Sequence, residues 1–162
     1  MTTKTQRNAN DFYPTPNWCF ETLEIDWSKY KTALEPCKGD GRIVSFLENK
    51  GIDTYWAELS EGIDYLTTPF DNVDLILTNP PFSLAQEFIE KAHSEADTII
   101  MLLRINFLGS QKRKEFWKKY PVNSLFVLSK RPSFTGSGTD ATEYAWYVWD
   151  RTNKIPRGIF HI

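Results

Sequence analysis

The sequence predicts an α/β fold of the Rossmann-like kind, a mostly parallel sheet flanked by helices that closes on an antiparallel C-terminal hairpin. Three observations predict it. Short apolar runs alternate with amphipathic segments over most of the chain. Two of those runs, "VDLILT" and "DTIIMLL", are continuously apolar, as strands covered on both faces are. The last two runs, "NSLFVLS" and "EYAWYVWD", are joined by the loop "KRPSFTGSGTDAT" with no helical segment between them, which allows an antiparallel pair.

Residues 1–10 are polar and read as a flexible arm, so one domain is expected over 11–162, with no separate target-recognition domain. "DFYPTP" is an extended, proline-stiffened lead into "NWCFETLEI", a short amphipathic helix with Pro16 in its opening turn. "KTALEP" is the first strand. "GDGRIVSFLENKG" is a glycine turn and a helix that places Ile43, Val44, Phe46 and Leu47 on its apolar side and stops at Gly51. "IDTYWAEL" is the second strand, "IDYL" a brief third and "VDLILT" a fourth. "SLAQEFIEKAHSE" is helical, "DTIIMLL" is the fifth strand, and "QKRKEFWKKY" is a basic helix. Strands separated by helices in this rhythm form parallel sheets through right-handed crossovers.

Composition narrows the function. Formal charge is −2, which argues against a protein held to nucleic acid by bulk electrostatics alone, although a local basic patch is compatible with it. Aromatics reach 15%, with six tryptophans and eleven phenylalanines; most fill the core, and a surplus of flat rings suits a protein that stacks on something flat. Cys19 and Cys37 make neither a disulfide framework nor a metal spacing, so no metal is expected and a reducing compartment is. With no apolar run near ~20 residues and no apolar leader, a soluble cytoplasmic protein that contacts no membrane is expected.

In parallel sheets ligands sit beyond the carboxyl ends of the strands, and the first strand-to-helix turn is the usual cradle. Here it reads "LEPCKGDGR", where Gly39 and Gly41 let a ligand approach the backbone beside Glu35, Pro36 and Asp40. Neither G-x-G-x-x-G nor G-K-[ST] is present, which disfavours a dinucleotide or a triphosphate. Glu58 ends the second strand about twenty residues on, where a carboxylate can accept both hydroxyls of a ribose. Asp64 follows, placed to accept from an exocyclic adenine amine. Any one acid alone is an ordinary surface charge; four at strand ends suit a ligand with a ribose and positive charge. S-adenosylmethionine has both.

"TNPPF" then falls at the end of the strand beside the first. With proline at about 5% of residues, an Asn/Asp-Pro-Pro-aromatic tetrad arises by chance in roughly one chain of this length in several hundred. The series "DFYPTP", "LEPCKGDG", "AEL", "GIDYL", "TNPPF" resembles the motifs of the class I S-adenosylmethionine-dependent amino-methyltransferases, above all the DNA adenine N6-methyltransferases. "RPSFTGSGTDATEYAWYVW" resembles the small phage-type family of those enzymes, so the likeness spans residues 11 to 150. It implies a Rossmann-like class I methyltransferase fold, S-adenosylmethionine as methyl donor, S-adenosylhomocysteine as product, double- or single-stranded DNA as partner, and host-cell cytoplasm if phage-encoded. It also implies that Tyr13, Thr15 and Pro16 cover the methionine end of the cofactor, and that Leu59 and Tyr65 join its binding residues.

The chemistry explains the tetrad. An adenine amine is a poor nucleophile because its lone pair is delocalised into the ring. If the Asn79 side-chain oxygen and the Pro80 carbonyl each accept one N–H, the nitrogen turns tetrahedral and its lone pair faces the methyl sulfonium. Pro80 and Pro81 stiffen the backbone that carries both acceptors, and Phe82 can stack on the purine. A base in a duplex must be flipped out at about a few kcal/mol, and stacking returns about 1–3 kcal/mol per base. Phe134 is either a second platform or a core anchor. Lys130, Arg131 and Phe134 combine charge and a ring in one pliable loop, and Arg104, ending a strand near the pocket, is a further substrate contact; "QKRKEFWKK" reads as a solvated face. His93 and His161 have no chemical partner at informative spacing. Cys37 and Lys38 depart from the small or apolar residues usual in the cofactor loop, and no segment large enough for recognition of a long site is present, so a short or relaxed sequence preference is expected. RNA adenine or protein glutamine methylation would use the same tetrad on another planar nitrogen. A non-catalytic nucleic-acid-binding module would need neither the acid-lined loop nor Asn79.

Overall fold

The structure, a computed structural model, describes residues 14–134 and 142–162. The expected polar arm, Tyr13 and the tip of the last loop lie outside these residues. Strands β1 Thr32–Glu35, β2 Asp53–Trp56, β3 Val73–Thr78, β4 Ala96–Arg104, β5 Ser124–Val127, β6 Tyr144–Asp150 and β7 Gly158–His161 form one sheet in the order β2-β1-β3-β4-β6-β5-β7. Helices α1 Asn17–Glu21, α2 Arg42–Asn49, α3 Ala85–Ala92 and α4 Lys114–Lys119 cover it.

Alternation of side chains across the pleat builds two apolar layers from the same strands. Ile100 and Leu102 of β4 and Tyr144, Trp146 and Val148 of β6 join Phe20, Ile43 and Leu47 on one face. Ile99, Met101 and Leu103, with Ala145, Tyr147 and Trp149, join Phe88, Ile89 and Phe116 on the other. Covering on both faces explains why these strands read as unbroken apolar runs. On the first face the Trp146 indole donates to the Cys19 carbonyl at 2.7 Å, which pins the start of the chain to the sheet centre.

β1 pairs in parallel with β2 on one side and β3 on the other, and β3 with β4. The chain thus reverses its direction of travel across the sheet between β1 and β3, and a crevice at such a switch point is the ligand site of open α/β sheets. β6 runs antiparallel between β4 and β5, as the hairpin reading expected.

Four expectations change. "IDYL" is a turn: the Asp64 side chain accepts the Leu66 N–H at 3.0 Å and its carbonyl accepts Thr67 and Thr68 N–H, so turn chemistry overrides the apolar alternation. "VDLILT" is therefore the third strand. β7, unforeseen in "GIFH", extends the sheet in parallel with β5. The basic helix splits into a 3₁₀ turn at Gln111–Arg113 and the six-residue α4, and the first helix is only five residues long.

Candidate active site

β1 delivers Glu35 to the switch point and the chain turns at once into α2. Gly39 and Gly41 have φ of 57° and 88°, a left-handed backbone that a side chain would strain, and no atom lies within 4 Å of a Cβ placed on Gly41. The turn is tied to the end of β2 by Lys38 N–H to the Ala57 carbonyl at 2.9 Å and Gly39 N–H to Glu58 Oε1 at 3.0 Å. Glu58 Oε2 accepts both Ser60 N–H and its hydroxyl at 2.8 Å, capping the one-turn 3₁₀ helix Leu59–Glu61. Glu58 is thus fixed against the glycine turn, its carboxylate tied to the turn backbone and to the 3₁₀ helix.

The other acids have different surroundings. Glu35 is 1% exposed and accepts the Cys37 N–H at 2.7 Å, which shapes the turn from within. Burial pushes its carboxyl well above the usual range, the neighbouring Thr78 hydroxyl and the Cys37 N–H oppose that, and the charge of Glu58 adds to it. Asp40 is exposed and pairs with Arg42 Nε at 2.7 Å. Lys38, the unusual cation of this turn, is directed to Glu61 at 2.7 Å and stacks 3.8 Å from the Trp56 ring centre. Pro36 is buried, and Leu59 and Asp64 are half-buried beyond β2.

The Tyr65 side chain is part of the core: it is 1% exposed, its hydroxyl donates to Glu95 at 2.7 Å, and its ring packs on Phe70 and Phe88. Lys91 donates to both Glu95 oxygens, at 2.7 and 2.8 Å, and to the Thr68 carbonyl at 2.9 Å, while Phe70 N–H donates to Glu95 Oε2 at 3.0 Å. This network, in which Lys91 and Glu95 were not singled out from the sequence, holds the Asp64 turn against α3.

Across the switch point, β3 ends at Thr78 and leads into Asn79, Pro80, Pro81 and the 3₁₀ turn Phe82–Leu84. The Asn79 amide donates from Nδ2 to the Thr15 hydroxyl at 3.1 Å. Among the described residues Asn79 Oδ1 takes no hydrogen bond, and no backbone N–H reaches the Pro80 carbonyl, whereas the Pro81 carbonyl accepts Leu84 N–H at 3.0 Å. Among the described residues, then, two acceptors of the tetrad take no donor. Pro16, next to Thr15, begins α1 and accepts Cys19 N–H at 3.0 Å.

Phe82 is 38% exposed, and the Arg104 guanidinium lies 4.4 Å from its ring centre. Arg104 Nε donates to the Tyr144 hydroxyl at 3.4 Å, and Tyr144 lies 5.8 Å from Phe82, ring to ring. Phe134 is buried and packs edge-on against Tyr144, so of the two rings Phe82 is the exposed one. Arg131 pairs with Glu143 and Lys130 is exposed, 5.9 Å from the Trp18 ring. Arg104 and Tyr144 are thus brought to Phe82, while Lys130 and Arg131 make their contacts with Trp18 and Glu143. Among the described residues no group of three or more His, Cys, Asp or Glu could hold a metal, and no helix is long and apolar enough to cross a membrane.

No family model and no curated protein matches this chain. Solved structures do match. A candidate RNA methyltransferase from Pyrococcus horikoshii superposes with a TM-score of 0.64 at 17% identity, covering 84% of this chain and 85% of that one. A candidate class I S-adenosylmethionine-dependent methyltransferase from Listeria monocytogenes does so with a TM-score of 0.61 at 15% identity, covering 98% and 67%. A type I restriction-modification methyltransferase subunit from Streptococcus thermophilus gives 0.60 at 13% identity; it matches 93% of this chain, which spans 47% of that subunit's length. The chain has the class I methyltransferase fold. Its glycine turn and its Asn-Pro-Pro-Phe segment face each other across the switch point of that fold.

Proposed function

We propose that this protein transfers a methyl group from S-adenosylmethionine to the exocyclic N6 amine of adenine in DNA, double- or single-stranded, with a short or relaxed sequence preference. The observation that carries the reading is the pair Asn79 Oδ1 and the Pro80 carbonyl, two acceptors that take no donor among the described residues, beside a glycine turn braced by Glu58. The residues of the turn fit the donor. Glu58 would accept from ribose hydroxyls, Asp64 from the adenine amine, and the backbone from Pro36 to Gly41, with Leu59, Thr15 and Pro16, would line the rest. The donor supplies an electrophilic methyl on a sulfonium.

The chain's own residues prepare the acceptor. Asn79 and Pro80 each take one N–H of the target amine, so its lone pair leaves ring conjugation and points at the methyl carbon. The N–C bond forms with that pair as the S–C bond breaks, its electrons returning to sulfur as the neutral thioether of S-adenosylhomocysteine. Positive charge develops on nitrogen while both N–H groups are held by acceptors, the step where fixed dipoles act most strongly. The proton then leaves to solvent. Phe82 supports the base, and Arg104, beside it, is placed for a phosphate or for the rim of the base.

Support for a nucleic-acid acceptor also comes from how proteins of like fold are described, among them a candidate RNA methyltransferase from Pyrococcus horikoshii and a dimethyladenosine transferase from Plasmodium falciparum. Incubation with labelled S-adenosylmethionine and, in turn, duplex DNA, single-stranded DNA, RNA and protein tests the reading. Label in DNA that digests to N6-methyladenine is the expected result. Label confined to RNA or to protein moves the activity to that acceptor, and no label with no heat of cofactor binding overturns the enzyme reading.

A further inference from the structure

The site raises a question of orientation. A primary amide has two ends of nearly equal shape, one an acceptor and one a double donor. Only the orientation with oxygen outward can accept from an amine; the other sets N–H against N–H. Asn79 follows a strand end, and neither proline after it controls its side chain.

We propose that Thr15 is the positioning residue that holds the Asn79 amide with its oxygen toward the acceptor amine, an inference that rests on the methyltransferase reading. Thr15 is 8% exposed and accepts the Asn79 Nδ2 N–H at 3.1 Å across 64 residues of sequence. A hydroxyl can serve either end of an amide, so the two partners divide the choice: the incoming amine requires an acceptor outward, and Thr15 gives the inward N–H its acceptor. Without that hydroxyl the inward, part-buried N–H loses its partner, and the amide is no longer held in the productive orientation that the incoming amine selects.

Thr15 is itself tethered. Arg42, at the start of α2, donates from Nη1 to the Thr15 carbonyl at 3.4 Å while its Nε holds Asp40 at 2.7 Å. The chain Asp40–Arg42–Thr15–Asn79, which passes through the Thr15 carbonyl and hydroxyl, links the glycine turn to the acceptor site. This role goes beyond covering the methionine end of the cofactor, and the two are separable by experiment.

Thr15→Val keeps the shape and removes the hydroxyl; Thr15→Ser keeps the hydroxyl. The expected result for Thr15→Val is a turnover about tenfold lower at saturating cofactor, with cofactor Kd within about twofold of wild type, and Thr15→Ser restores turnover to within about threefold. The Asn79 side-chain amide, followed by nitrogen-proton NMR in the ligand-free protein, should show one hydrogen-bonded N–H in wild type and Thr15→Ser that is lost in Thr15→Val. Unchanged turnover in Thr15→Val, or weaker cofactor binding with full turnover at saturation, overturns the inference. So does a wild-type spectrum in which neither Asn79 side-chain N–H is hydrogen-bonded, whether or not the valine variant folds. A wild-type protein that shows the bond but methylates no planar amine overturns the function instead, and with it any catalytic meaning of the bond.

Discussion

Around the glycine turn the polar contacts run from carboxylates to backbone N–H groups: Glu35 to Cys37, Glu58 to Gly39 and Ser60, Asp64 to Leu66. Around Phe82 they run between rings and a guanidinium: Arg104 on Phe82, Tyr144 between Phe82 and Phe134. The first set closes loops of fixed covalent geometry and is complete without a ligand. The second set is made of flat groups with exchangeable partners, and a flat base can take the place of the guanidinium on Phe82. The difference suits one pocket that receives the same molecule in every cycle and another that must admit and release a base.

If the two regions are as separate as this, substitutions should divide their effects cleanly. The largest belongs to Glu58. Glu58→Ala removes the acceptor for Gly39 and Ser60 as well as for ribose, and charge-assisted hydrogen bonds of this kind contribute about 1.5–3 kcal/mol each. Cofactor Kd by calorimetry should rise about a hundredfold with nucleic-acid affinity within about twofold. Equal loss of both would merge the two regions into one.

Phe82→Ala is the converse. With base stacking at about 1–3 kcal/mol, affinity for single-stranded DNA should fall about tenfold while cofactor Kd stays constant, and Phe82→Trp should retain binding. Fluorescence anisotropy with a labelled oligonucleotide checks it, and an alanine variant that binds as wild type would remove Phe82 from the account.

The smallest effect is on stability. Burial raises the Glu35 carboxyl, so the folded chain keeps a proton that the unfolded chain releases. Stability is then full below the ordinary carboxylate range and declines as pH rises toward the raised value. Glu35→Gln retains an oxygen for the Cys37 N–H and removes the titration. It should melt a few degrees higher than wild type at about pH 8 and no higher at about pH 4. A variant whose melting follows pH as wild type does would locate the linkage elsewhere.

The same contrast governs what was legible in the sequence. The glycine turn, the acids at strand ends and the proline tetrad announce themselves because their chemistry is local, with partners two residues away or at the end of the next strand. β3 and β4 were legible because both faces are covered. "IDYL" was misread because its alternation is real, but Asp64 turns the backbone and Tyr65 reaches the core through Glu95, 30 residues distant. β7 gave no signal since its residues are mostly exposed at the sheet edge. The stack of Arg104 on Phe82 and the bond from Asn79 to Thr15 depend on which loops the sheet order brings together, and no local pattern encodes that.

Asn79→Ala tests the central claim most directly, with turnover on adenine-containing DNA and cofactor Kd measured on the same preparation. Loss of an acceptor that acts in the transition state should lower turnover by about a hundredfold or more while cofactor Kd changes by less than about threefold. Turnover that persists, or a cofactor affinity that falls in step with it, would contradict the assignment of Asn79 as the residue that prepares the amine.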